Sequence, residues 1–249
     1  MVLLVGFGAG LRFHNLSERS LWADELFTLA IAQYHPFKPK EGHPQYRRVQ
    51  VKDIADDDTF LTAKAAEQSP PLYELLEKIS VGWLGPTEFA ARLPAALFSC
   101  ALLIWFAALA LKHPDPWVRR VLKWSVLLLA LYPGLILYAR EGRAYGVGVS
   151  LIGMAGLLWM LRWRDGCKSW EPPGWTETAI FTLACLTHYN AALLVAILLS
   201  ADAVMALIKR SAAAWARLIA LASVFAVWLF LNAHAILYTA EGGVAWAAL

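Results

Sequence analysis

Long apolar runs broken by short clusters of charge set the pattern of this chain. Leu93–Leu111 carries no charged residue, Trp124–Ala139 and Ala144–Leu161 follow, and Leu218–Tyr238 closes the series. Between them, Thr178–Ile208 is a longer run interrupted by His188, Asn190 and Asp202. Crossing the hydrocarbon core takes about 20 apolar residues per helix. Thr178–Ile208 is too long for one span and short for two, which predicts two shallow or broken helices meeting near His188. With the apolar start, Met1–Leu11, the pattern predicts an all-α, polytopic transmembrane helix bundle of about seven spans.

One long stretch stands apart. Arg12–Arg92 reads as a first extracytoplasmic loop carrying interfacial helices within a single membrane-embedded domain, residues 1–249. Leu21, Trp22, Leu26, Leu29 and Tyr34 recur near helical spacing, with Ser20 as the expected cap. Pro36–Gln68 is polar and proline-containing, with one short helix expected near Asp53–Glu67. A further helix is expected to start at Ser69-Pro70-Pro71 and stop near Gly85-Pro86, since serine caps and proline suits a first turn.

Composition agrees with lipid as solvent: 59% of residues are hydrophobic and the mean hydropathy is +0.51. The net charge of +3 is small and dispersed, giving no footprint for nucleic acid. Its distribution is more useful. Lys112, Arg119, Arg120 and Lys123 follow the second apolar run. Arg162, Arg164 and Lys168 follow the fourth, and Lys209, Arg210 and Arg217 the sixth. Short basic loops stay on the cytoplasmic side. That rule predicts Asp24/Glu25, the Arg140–Tyr145 turn and His188 together on the outer face.

Three cysteines, Cys100, Cys167 and Cys185, are too few and scattered for a disulfide framework or a zinc site. Met1–Leu11 offers only about 17 Å of helix against roughly 30 Å of hydrocarbon. The chain also stops at Leu249 just after another outer segment, so it reads as a fragment, clipped slightly in front and heavily behind.

The chemistry-bearing residues fall in three places. Asp24 and Glu25 are adjacent, so on a helix they point about 100° apart and cannot share one task. Tyr138-Ala139-Arg140-Glu141-Gly142-Arg143-Ala144-Tyr145 packs two arginines, a carboxylate and two tyrosines between two spans. Membrane anchoring explains the tyrosines and one arginine but not Glu141. Arginine is also suited to gripping phosphate through a fork of donors. His188-Tyr189 marks the third place, with a structural histidine and a site histidine both open readings. Asp202 is expected to pair with Lys209 or Arg210, and His234 to lie at an interface. Asp56-Asp57-Asp58 reads as a solvated loop, with a divalent cation left open as a cofactor.

These residues, in this order, resemble the GT-C membrane glycosyltransferases. The nearest branch is the dolichyl-phosphate-mannose protein mannosyltransferase-like and aminoarabinose transferase-like proteins. The pieces are Leu11-Arg12, Leu21-Trp22-Ala23-Asp24-Glu25, Pro70-Pro71-Leu72-Tyr73, and Gly85-Pro86-Thr87-Glu88-Phe89-Ala90-Ala91-Arg92-Leu93-Pro94, then Arg140–Tyr145 and His188-Tyr189. They match the N-terminal half of that family. The resemblance implies transfer of a sugar from a polyprenyl-phosphate carrier to a lipid, glycan or protein acceptor. It further implies a bacterial inner membrane location with the site on the extracytoplasmic face. Asp24 becomes the general base, and Glu25 positions Asp24 or the acceptor. Arg92, Arg140 and Arg143 become the candidates to stabilise the departing phosphate. Glu141 would orient an arginine or a sugar hydroxyl, while Tyr145, His188 and Tyr189 complete the substrate-binding set. The family's histidine before the two prolines is replaced here by Ser69. A transporter or flippase is the alternative from another class, and a non-enzymatic assembly subunit a third.

Overall fold

The computed structural model describes residues 1–33, 70–164 and 175–209, with isolated helical positions beyond. The described residues form helices joined by turns, with no strand among them. In chain order these are α1 (Val2–Phe13), α2 (Ala23–Ala32), α3 (Leu72–Leu84), α4 (Glu88–Lys112), α5 (Pro116–Leu131), α6 (Pro133–Ala139), α7 (Ala144–Arg164), α8 (Trp175–Cys185) and α9 (Tyr189–Lys209).

Two of these, α4 and α7, are long and apolar enough to cross a membrane, and a third crossing follows if α5 and α6 count as one bent span. The expectation of seven spans is thus met only in part. Helix α1 has 12 residues and α8 has 11, short of a crossing. Most of Leu218–Tyr238 lies outside the described residues, as do the expected helix at Asp53–Glu67, the Asp56–Asp58 run, Ser69, Lys168, Arg210, Arg217 and His234.

The third apolar run was misplaced. Its helix begins at Pro116, where the Asp115 carboxylate accepts from the N–H groups of Trp117 at 2.7 Å and Val118 at 3.2 Å. Arg119, Arg120 and Lys123 therefore lie on helix, not in a loop. The run also breaks at Pro133, and α5 and α6 meet at a 59° bend. Proline has no N–H to give the carbonyl four residues back, and its ring clashes there. That carbonyl, Leu129 O, instead accepts from the fully buried Arg12 of α1 at 2.7 Å. Arg12 also reaches Ser99 Oγ on α4 at 2.7 Å, so one side chain ties three helices.

A proline inside α4 does similar work. Pro94 leaves the Ala90 carbonyl without its helical donor, and Ser80 Oγ of α3 donates to it at 2.6 Å. Tyr73 Oη donates to the neighbouring Ala91 carbonyl at 3.0 Å. Helix α3 ends where expected, at Gly85 with φ of 82°, a backbone region that favours glycine. The α3–α4 hairpin is thereby fixed by hydrogen bonds as well as packing.

Helix α4 runs through the centre, against α1, α3, α5 and α7. The main core joins Tyr73, Leu102, Val147, Leu151, Phe181 and Val195 from α3, α4, α7, α8 and α9. A smaller cluster of Leu21, Leu29, Val81, Ala90 and Ala91 seats α2 on the α3–α4 hairpin. On the outside, Leu97, Ile104 and Leu111 form an exposed row along α4, and Leu193, Ile197, Val204 and Leu207 another along α9. Apolar rows of this length outside a packed core suit a lipid solvent.

The helices define two ends. At one, Arg164 of α7 meets Asp115 at the start of α5. Nearby on α7, Arg162 pairs with Asp202 of α9 at 3.0 Å and Glu177 of α8 at 3.3 Å. The indoles of Trp159 and Trp163 both donate to Asp202 at 3.1 Å. Asp202 is thus held across helices by Arg162 and two tryptophans, while the side chains of its expected partners Lys209 and Arg210 lie outside the described residues. The other end gathers the start of α2, the N-terminal part of α4, the turn between α6 and α7, and the turn before α9.

Candidate functional site

At that end the acidic pair divides its labour. Helix α2 starts at Ala23, and Glu25 reaches back to accept from the Trp22 N–H at 3.1 Å. The expected Ser20 cap is therefore replaced by a carboxylate in the first turn, where the helix dipole also favours it. Glu25 is fully buried. Its Oε1 accepts from Arg92 Nε at 2.8 Å and the Gly142 N–H at 2.6 Å, and its Oε2 from Arg92 Nη2 at 2.7 Å. Four bonds occupy this carboxylate, so it joins α2, α4 and the α6–α7 turn and has no lone pair left for a substrate.

Arg92 is equally committed. Besides Glu25 it donates to the carbonyls of Leu16 and Arg19 at 2.9 Å and of Ser20 at 3.3 Å. A guanidinium has five N–H donors, and all are spent. Arg92 was expected among the groups that grip phosphate; here it holds the loop before α2. Removing one partner of such a buried pair costs about 3–5 kcal/mol, because the other charge is stranded.

Asp24 points the other way, with 42% of its side chain exposed. Arg143 Nη1 donates to the Asp24 carbonyl at 3.0 Å and lies 3.7 Å from the Asp24 carboxylate. The Arg143 guanidinium sits 5.4 Å from the centroid of the Tyr145 ring, and that ring lies 5.2 Å from His188. A half-open carboxylate, a cation and an aromatic wall thus follow one another across the end of the bundle. His188 Nδ1 accepts from the Asn190 N–H at 3.1 Å, which caps α9 and places the ring proton on Nε2. Tyr189 is partly buried and packs against the main core, its ring edge-on to His188 at 6.4 Å.

Arg140 and Glu141 lie elsewhere. They border a cavity of about 420 Å³ whose lining also includes Arg19, Glu25 and Arg92. Glu141 makes no ion pair with an arginine among the described residues. Burial and the Glu25 charge push its carboxyl up, with Arg143 and Arg92 opposing.

Three participants escaped the sequence reading. Arg19 sits in a short irregular segment with no periodic signal. Tyr73 and Glu77 of α3 are fully buried, and neither oxygen of Glu77 has a hydrogen-bond partner. Burial first, then the Glu74 and Glu25 charges, raise the Glu77 carboxyl well above the ordinary carboxylate range, while Arg143 opposes. Tyr73, Glu77 and Ser80 recur at positions i, i+4 and i+7, one helix face, and that spacing was the available signal. Among the described residues, no group of three acidic, histidine or cysteine side chains could hold a metal ion.

No protein-family model, curated protein or solved structure matches this chain.

Proposed function

We propose that the chain is a polytopic membrane glycosyltransferase domain that moves a sugar from a polyprenyl-phosphate carrier to an acceptor hydroxyl on a lipid, glycan or protein. One observation carries this reading: of two adjacent carboxylates, Glu25 is consumed by structure while Asp24 is left half open beside Arg143. Asp24 accepts the acceptor's proton as its oxygen bonds to the anomeric carbon. The bond from that carbon to the phosphate oxygen breaks, and polyprenyl phosphate departs with the electron pair. Arg143 faces the charge that grows on the leaving phosphate, where a fixed cation counts most. Glu25 and Arg92 position the loop and turn that present these two groups. Tyr145 and His188 supply the wall against which a sugar packs. The full bundle has about seven spans in the bacterial inner membrane, with the site on the extracytoplasmic face.

The test is release of free polyprenyl phosphate from a panel of polyprenyl-phosphate hexoses and pentoses, with protein reconstituted beside membrane lipid and glycan acceptors. Asp24→Asn is expected to slow release by about 10²–10⁴-fold, the usual worth of a general base. Release at the wild-type rate by Asp24→Asn removes the mechanism. Movement of intact lipid-linked sugar across the vesicle without release assigns transport instead.

A further inference from the structure

Arg12 is fully buried, yet each group it binds is neutral: Ser99 Oγ at 2.7 Å, the Gly8 carbonyl at 2.8 Å and the Leu129 carbonyl at 2.7 Å. It forms no ion pair with a carboxylate among the described residues. Ser99 lies about three turns into α4, so this cation stands well inside the bundle. A buried charge without a counterion is costly and is kept where an apolar side chain could not do its task. The cost is partly offset because Leu129 belongs to the last turn of α5, the negative end of the helix dipole.

The task is visible at the bend. Leu129 O is the carbonyl that Pro133 deprives of a helical donor, and α5 and α6 diverge there by 59°. Gly8 lets Arg12 reach it. A Cβ on Gly8 would stand 2.9 Å from the Leu103 side chain and 3.0 Å from Ala130 Cβ, so glycine allows α1 its close approach to α4 and α5. Beyond the bend, α6 has seven residues, about 10 Å of helix, and leads straight into the turn that carries Arg143. Its far end is confined as well, since a Cβ on Gly146 of α7 would run into the Tyr138 carbonyl. Helix α6 is thus a short strut with Arg12 at its foot and Arg143 just past its head. We infer that Arg12 is a positioning residue: by holding Leu129 O outside the helix it fixes the bend at Pro133, and through α6 it sets where Arg143 stands beside Asp24. The effect on catalysis rests on the transferase reading; the effect on the bend does not.

The bend is tested with spin labels at the exposed Lys112 of α4 and Leu137 of α6, read by pulsed electron paramagnetic resonance on the full chain in nanodiscs with native cysteines replaced. Wild type should give one narrow distance. Arg12→Met keeps the length of the side chain and removes its donors, so the distance should broaden or shift by several ångströms. Pro133→Ala leaves Arg12 in place but returns an N–H that can serve Leu129 O within the helix. It should move the same label, and it decides the question if Arg12→Met does not fold. An unchanged narrow distance in folded Arg12→Met, or in Pro133→Ala, overturns the inference. The link to Arg143 is read from release of polyprenyl phosphate. Arg12→Met should lower kcat by up to about 10²-fold, as a misplaced catalytic group does, with KM for the acceptor little changed. The Arg12→Met/Arg143→Gln double variant should be no slower than Arg143→Gln alone, because one acts through the other. Losses that multiply, or a fall confined to KM, overturn that link. Absence of release by wild type would end the transferase reading and leave the distance result to stand or fall by itself.

Discussion

Glu77 shows how one buried side chain makes stability depend on pH. Both its oxygens are enclosed without hydrogen-bond partners, and ionising it would place a charge near Glu74 and Glu25. Its folded-state carboxyl therefore titrates higher than in the unfolded chain. An acid shifted upward binds more protons when folded, so stability is full below the unfolded pKa and falls as pH rises from there towards the folded value. Thermal unfolding in detergent should accordingly show wild type losing stability as pH climbs from about 4.5, the ordinary glutamate value. Glu77→Gln should flatten that slope, and an unchanged slope would show that another group governs it. At this scale the sequence was half legible. Adjacent positions on a helix had to diverge, so Asp24 and Glu25 had to differ in task. Which one faced inward was set by Arg92 and Gly142, 67 and 117 positions further along. Short-range spacing carries no information about partners so remote.

Element boundaries turned on proline. Pro116 and Pro133 start helices, Gly85 ends one, and each marker was visible in the sequence. The consequences of Pro94 and Pro133 were not, because a freed carbonyl needs a donor from another helix. Ser80 meets Ala90 O, and Arg12 meets Leu129 O. Lacking Ser80, the buried Ala90 carbonyl is left unpaired, so Ser80→Ala should cost about 1–3 kcal/mol. Pro94→Ala returns an N–H to α4, which can serve that carbonyl within the helix. The Ser80→Ala cost should therefore shrink in a Pro94→Ala background. A double-mutant cycle on thermal unfolding reads this coupling directly, and additive costs would refute the link. The same cross-helix logic explains Asp202. A carboxylate buried between α7 and α9 pairs with Arg162, a partner 40 positions earlier in the chain that only the packing delivers.

On the scale of the whole molecule, the alternation of helices sorts charge to two ends. Asp24, Arg92, Arg143 and His188 meet at one, while Asp115, Arg162, Arg164 and Asp202 occupy the other. Single cysteines at Glu18 and Asn190, both exposed, report the first end, and one at Lys112 reports the second. With the native cysteines replaced, a membrane-impermeant thiol reagent applied outside should label the first two and spare the third. Labelling of Lys112 with sparing of Glu18 would invert the proposed orientation, and labels on Glu18 and Asn190 from opposite sides would separate Asp24 from His188. Hydropathy, basic clusters and helix punctuation determined that the chain is a helical bundle and that its acidic pair, arginine turn and histidine share an end. These signals are local or periodic, so they survive in one dimension. Tertiary structure alone decided which carboxylate stays open, which arginines keep unspent donors, and which carbonyls need rescue. Each of those outcomes depends on partners brought together by packing, since a donor is free or spent only relative to what stands beside it.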